Sequence, residues 1–290
     1  MIVRVKFSKY GFTKFIGHLD LVRYFQKAIR RSGLTVAYSE GFNPHPLLYF
    51  AAPLGLGQTS DGEYMDVEFK KEYPLEEITT RLNSALTEGF YVQSATGLSD
   101  WKPGQKKESI MALTACADYM VSIKDMEVDG KEYAEYFQRF HEKFTEFLQR
   151  SEIMAEKESK KSAQIVDIRP MIFAWGFERE DLLSGEFSQD LTEEEKKKIA
   201  EEGISHAQEY KNKLRVFLKL SSGSVNNLKP ELVMESFCKA YGLPCKEEGL
   251  QFHRMEIYGD LCMQEDKESL NTGEMGRKLV PLWKFHRVEE

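Results

Sequence analysis

The sequence has few cysteines, no long hydrophobic run and no glycine-rich nucleotide fingerprint, and each absence removes a class of function. Its four cysteines, Cys116, Cys238, Cys245 and Cys262, include no Cys-x-x-Cys pair, and none sits beside a histidine in a zinc-like pattern. A Cys-x3-Cys-x2-Cys cluster able to hold an iron-sulfur centre is also missing. The cysteines therefore read as reduced structural thiols, and neither a metal nor a cofactor is expected. Gly55-x-Gly57 lacks the third glycine and the following helix of a dinucleotide site. No apolar stretch approaches the roughly 20 residues that cross a bilayer, so no membrane partner is expected. Met1-Ile-Val-Arg-Val-Lys6 is too short and too charged for a secretory core, which makes the cytoplasm the expected location.

What is present is an ordinary globular composition. Hydrophobic residues make up 41% and charged residues 30% of 290, enough for one large domain or two of usual size. The net charge is −7, which disfavours a nucleic-acid partner, but the charge is unevenly spread. Residues 1–50 hold eight cations against two acids, Asp20 and Glu40, so the rest of the chain is strongly acidic. Such asymmetry suggests a local anion-binding face.

The order of elements points to an α+β fold. Ile2–Phe7 alternates as a half-buried strand. His18–Ser32 has helical spacing, with Leu19, Val22, Phe25 and Ile29 as its apolar stripe and Gly33 as its stop. Leu47–Ala51 and Glu63–Phe69 read as strands, 74–89 as a helix and Phe90–Ala95 as a strand. This is the β-α-β-β-α-β series of a ferredoxin-like plait. A polar, Pro- and Gly-containing stretch at 99–110 reads as a linker. Beyond it, Leu113–Ile123 reads as a strand, and Glu132 to about Arg150 as a helix with Tyr133, Phe137, Phe140, Phe144 and Phe147 facing a core. Ile153–Lys157 and Gln164–Pro170 read as strands about the basic turn at Lys160-Lys161, Leu214–Leu220 as a strand, Pro230–Tyr241 as a helix and Phe252–Tyr258 as a final strand. The charged segment Asp181–Lys213, with a Thr192/Glu195 capping box, reads as an inserted, solvated helix. The expectation is a duplicated ferredoxin-like plait with a charged helical insertion in the second copy. Its parts are a first domain at 1–98, the linker at 99–110, a second domain at 111–260 and a tail at 261–290 whose Leu279–Phe285 docks back or binds a partner. A monomer is expected.

Four groups of residues can carry function. Arg23, Lys27, Arg30 and Arg31 fall at i, i+4, i+7 and i+8, which places four cations on one side of the first helix, suited to a solvated face or to a polyanion such as RNA. His18 and Asp20 at the start of that helix can meet Asn43 and His45, which the flanking Pro44 and Pro46 hold on a stiff arm. Two histidines there suit acid-base cleavage of RNA, or with Asp20 a metal, while a plain helix cap explains the same residues. Asp167 and Arg169 form either a binding pair or a structural one. The loop 221–227, with Ser222, Ser224 and Asn227, precedes a helix whose N-terminus can receive a phosphate, or is simply a loop.

Several segments together resemble one family. Phe15-Ile-Gly-His-Leu-Asp-Leu-Val-Arg23, Tyr38-Ser-Glu-Gly-Phe-Asn-Pro-His-Pro46, Pro53-Leu-Gly-Leu-Gly57, the Glu63-to-Asp66 pair and Val166-Asp-Ile-Arg-Pro170 are similar to the bacterial radical SAM-linked proteins, a domain of unknown function found alone or fused to the C-terminus of radical SAM enzymes. Gly17 stands where that pattern has a serine. The resemblance implies a radical SAM enzyme as partner and an RNA-related process, with this chain presenting RNA rather than generating a radical. It assigns no catalytic residue. An RNA-cleaving enzyme using His18 and His45, and a protein adaptor docking through Trp283, are the alternatives.

Overall fold

In the computed structural model, which describes residues 1–98, 109–158, 163–223, 226–261 and 278–285, β1 (Ile2–Lys9) is covered on both faces. This corrects the half-buried reading. Val3, Val5 and Phe7 enter a core with α1 (His18–Ser32) and α2 (Leu75–Ala85), while Arg4 and Lys6, on the opposite face, are only 3% and 4% exposed. A 3-10 turn at Gly11–Phe15 leads into α1, whose end is set by Gly33 in the left-handed region at φ 71°. The buried face of α1 is Leu21, Phe25, Ala28 and Ile29. Leu19 does not join it as expected; at 100° per residue it lies with Arg23, Lys27 and Arg30, nearly opposite the core. β2 (Leu48–Phe50), β3 (Thr59–Glu68) and β4 (Phe90–Leu98) complete this stretch in the spatial order β4-β1-β3-β2, all antiparallel.

The second stretch opens with a short helix, α3 (Ile110–Leu113), capped by Ser109, and continues through β5 (Thr114–Ile123) and the small hairpin β6 (Glu127–Val128) and β7 (Lys131–Glu132). The single helix expected from Glu132 to Arg150 is broken. A 3-10 turn covers Tyr133–Phe137, Arg139 turns left-handed at φ 61°, and α4 spans Phe140–Leu148. The break lets the Tyr133 hydroxyl donate to the Pro244 carbonyl (2.8 Å) and accept from the Lys246 amide (3.2 Å), while all five aromatics stay buried as expected. A separate ribbon pairs β8 (Met154–Glu158) with β9 (Ala163–Asp167). β10 (Ile172–Gly176), α5 (Glu193–Glu202), β11 (Arg215–Ser221), α6 (Pro230–Tyr241), β12 (Leu250–Asp260) and β13 (Leu279–Pro281) follow. The sheet order here is β12-β5-β11-β10, again antiparallel.

The two stretches join edge to edge. β12 pairs with β3 in parallel, His253 opposite Thr59 and Arg254 opposite Ser60, giving one mixed sheet of nine strands. The strands come so close that any Cβ at Gly62 would meet the Met255 carbonyl oxygen at 2.5 Å, so only glycine fits. Beside this seam Arg254, 1% exposed, makes a two-pronged bond to Glu63 (2.8 and 2.6 Å).

The second correction concerns the insertion, which with the docked tail covers charged faces of the sheet. Arg4 pairs with Asp66 and donates to the Leu282 and Phe285 carbonyls of the tail. Lys6 and Tyr64 both bond Glu256, and Asp118 receives Arg179, just ahead of the insertion, and Tyr258 of β12. The Thr192/Glu195 capping box of α5 is present, but Glu195 also holds Lys284, and Ile199 is buried with Leu183 and Leu191. The tail residues Leu279–Phe285 dock through β13 on β12, with Trp283 under Lys198. Among the described residues no helix is long and apolar enough to cross a membrane.

Replacing Glu63 by Gln leaves the Arg254 guanidinium buried against a neutral partner. We expect a loss of about 3–5 kcal/mol in stability, the cost of breaking a buried pair on one side, read from the urea midpoint; an unchanged midpoint contradicts this role for the seam.

Candidate functional site

Of the eight cations in residues 1–50, three are consumed inside the fold: Arg4 by Asp66, Lys6 by Glu256, and Lys9, whose Nζ donates to the Ile16 carbonyl (2.8 Å). The rest lie outside. Arg23 meets Asp20 at 3.1 Å with both side chains largely in water, a geometry of little energetic weight. Arg31 donates to the Ala85 carbonyl (2.8 Å) and lies over the Tyr24 ring. Among the described residues no carboxylate lies within salt-bridge distance of Lys27 or Arg30, so their charge faces solvent. Leu19 on the same face is exposed, as are Phe12 and Phe15 in the 3-10 turn ahead of the helix, with Lys14 over the Phe15 ring at 5.2 Å. Leu56, also exposed, sits 3.9 Å from where a Cβ on Gly17 would be. Exposed apolar side chains thus precede the cationic helix face in the chain.

The proline arm folds back on itself. Tyr38 bridges to Pro46, and the Ser39 hydroxyl both accepts from the His45 amide (3.1 Å) and bonds His45 Nδ1 (2.9 Å). Asn43 and His45 are exposed, and Phe42 between them and the helix projects fully into solvent. His18 has different surroundings. Its ring meets Phe50 edge-on at 5.8 Å, and its Nδ1 is buried with no partner among the described residues. Burial holds the imidazole below its ordinary pKa, with the nearby Lys9 acting in the same sense and Glu63 against it. No hydrogen bond or ring contact joins His18 to His45.

The third group forms part of a cavity. Ser222, Asn227 and the start of α6 close, with the 51–58 loop, a space of about 330 Å³ between the two stretches. Its polar groups include Gln58, Tyr119, Glu231 and Arg254, and Ser224 lies outside the described residues. Arg254 builds one wall by donating to the Ala52 and Pro53 carbonyls (3.1 and 3.3 Å). Burial pushes the Tyr119 hydroxyl above its ordinary pKa, opposed by Arg254. Asp167 and Arg169 do not pair with each other through their side chains. Asp167 accepts from the Ile153 and Arg169 amides, and Arg169 donates to the Ile172 carbonyl.

Sequence reading missed a further cluster. Asp61, fully buried in β3, accepts from His206 Nδ1 (2.5 Å) and the His206 amide (2.8 Å), while His253 Nε2 lies 3.3 Å from its other oxygen. His206 stacks on Tyr10 at 3.7 Å, and His253 Nδ1 bonds Thr59 Oγ1. Partners 145 and 194 residues apart leave no local signal. Burial alone would raise the Asp61 pKa, but the bonds from His253 and His206 outweigh it and hold the carboxyl well below the usual carboxylate range.

These features define a mixed α/β protein with an exposed cationic helix face and an open, partly polar cavity where its two stretches meet. The chain belongs to the family DUF2344, described as an uncharacterized protein conserved in bacteria, whose model matches residues 3–230. Among curated proteins none matches it.

Because the folded pKa of Asp61 is depressed, its contribution to stability is full above the unfolded carboxylate range, near pH 4, and disappears as pH falls toward the folded value. We expect the urea midpoint of the native chain to exceed that of Asp61→Asn most at about pH 7 and the gap to close toward about pH 3. A gap that widens in acid refutes the assignment.

Proposed function

We propose that the chain is an accessory module that binds single-stranded RNA and presents it to a radical SAM enzyme. The observation that carries the reading is the row of solvent-facing cations Arg23, Lys27 and Arg30 on the face of α1 that also exposes Leu19, with Phe12, Phe15 and Phe42 exposed in the segments before and after that helix. Phosphates are attracted by such a row of cations, and bases stack on exposed aromatic rings whatever their sequence. Water-exposed phenyl rings have an energetic cost that a monomeric surface ordinarily avoids, and a stacking partner removes it. The radical SAM partner rests on the resemblance of the His18–Arg23, Tyr38–Pro46 and Val166–Pro170 segments, and RNA modification or processing in the cytoplasm is the setting it implies.

The same reading takes the fold as two diverged ferredoxin-like plaits. With α3, the β6–β7 hairpin, the β8–β9 ribbon and β13 set aside, both stretches run β-α-β-β-α-β, and the orders β4-β1-β3-β2 and β12-β5-β11-β10 follow one scheme, with the charged segment inserted between β10 and β11. RNA cleavage by His18 and His45 has less support, because the two rings have separate partners and His18 is partly withdrawn from water. The adaptor reading is weakened by Trp283, which is half-buried against the chain's own Lys198.

The test is fluorescence anisotropy with a short single-stranded RNA across a salt series. Lys27→Glu with Arg30→Glu should weaken binding at least about tenfold and lower the log-log salt slope by about 1.4, two phosphate contacts at about 0.7 each. Phe42→Ala should cost about 1–3 kcal/mol of affinity. Unchanged binding in the double variant, or no binding by the native chain, overturns the proposal.

A further inference from the structure

The cavity at the start of α6 is small, and its chemistry is selective. Its volume of about 330 Å³ lies at the low end of the roughly 300–1,000 Å³ typical of small-ligand pockets, right for one heterocycle and its sugar and too small for an oligomer. Ala52, Pro53, Leu54 and Leu228 give it apolar walls. The Glu231 side chain is one of its polar lining groups. Gln58 Nε2 donates to Glu231 Oε1 and fixes the group, while Oε2 is buried and has no hydrogen-bond partner among the described residues. A buried acceptor left unpaired costs about 1–3 kcal/mol, which a ligand N–H recovers.

Charge decides what kind of ligand fits. The nearest buried cation, Arg254, is already committed to Glu63 and to the Ala52 and Pro53 carbonyls, so it does not neutralise Glu231. The first helical position of α6 is Pro230, which has no N–H to offer an anion. A phosphate inside the cavity would face a carboxylate and no free donor from that residue. An amino group would face an acceptor held in place. Lys229, exposed at the rim, is placed to meet a phosphate outside the cavity.

We infer that this cavity takes a single unstacked nucleobase by an amino-bearing edge, with Glu231 Oε2 accepting the N–H. The inference rests on the RNA-binding reading above and gives it a reading head. The loop that forms the cavity wall also carries Leu56 beside Gly17, and its Gly57 amide donates to the Lys14 carbonyl (3.0 Å), so that loop adjoins the 3-10 turn ahead of α1.

The experiment titrates the full chain with adenosine, guanosine, cytidine and uridine separately by calorimetry. Saturable binding of at least one amino-bearing nucleoside is expected, with uridine about tenfold weaker because its base N–H lies between two carbonyl oxygens that a carboxylate repels. Glu231→Gln should weaken the preferred nucleoside about tenfold. Met111→Trp, a change at an exposed position on the cavity lining, should do the same by narrowing the mouth and guards against misfolding of the first variant. No nucleoside binding to the native chain, uridine binding as well as the others, or full affinity in both variants overturns the inference. The Lys27→Glu/Arg30→Glu variant separates the two ideas. If it loses RNA but keeps the nucleoside, the cavity and the face are distinct parts of one site. If the native chain binds RNA and no nucleoside, the cavity inference fails and the RNA reading stands.

Discussion

The pairing of Arg254 with Glu63 is the interaction on which the rest of the architecture depends. Both groups have left water almost completely, and such a desolvated pair persists only when its remaining hydrogen-bonding capacity is met. Arg254 meets it with the carbonyls of Ala52 and Pro53. One side chain thereby fixes the parallel seam between β3 and β12 and the loop that walls the cavity. Lys9 sits in the field of the same pair: burial lowers its pKa, Glu63 opposes that shift, and Arg254 adds to it. Seam, cavity and the base of α1 are therefore one electrostatic unit.

The buried ionic layer also explains how an acidic chain presents a basic face. Arg4, Lys6, Arg179 and Lys219 are paired inside the fold with Asp66, Glu256 and Asp118. The insertion and the docked tail supply the cover that keeps water from those pairs. What remains on α1 is a local surplus of positive charge, and a ligand approaching to within a Debye length, about 8 Å in physiological salt, responds to that surplus more than to the net charge of −7.

Some elements were legible because their determinants are local. The bounds of α1 and α6 follow from apolar spacing, from a left-handed glycine at the C-terminal end of each helix and, in α6, from Pro230 at its start. The aromatic row of Phe140, Phe144 and Phe147 reads correctly as core. The break at Arg139 was not legible, since it serves contacts of Tyr133 with Pro244 and Lys246, more than a hundred residues away. Leu19 was assigned to the wrong face because a single apolar residue at a helix start fits either stripe. Arg4 and Lys6 read as solvent-facing because alternation reports only that two faces differ, and a second buried face lined with ion pairs produces the same pattern.

By itself, then, the sequence determined the kinds of elements, their order, the capped ends of the main helices and the cationic row on α1. Each of these is set by residues within a few positions of one another. Only the tertiary structure decided that the two stretches share one sheet, that the charged insertion is a cover, and that Asp61 meets His206 and His253. It also decided that Ser222, Gly223 and Asn227 line a cavity together with Glu231. Those outcomes depend on which buried charges find partners, and a partner distant in the chain leaves no periodicity by which it can be read.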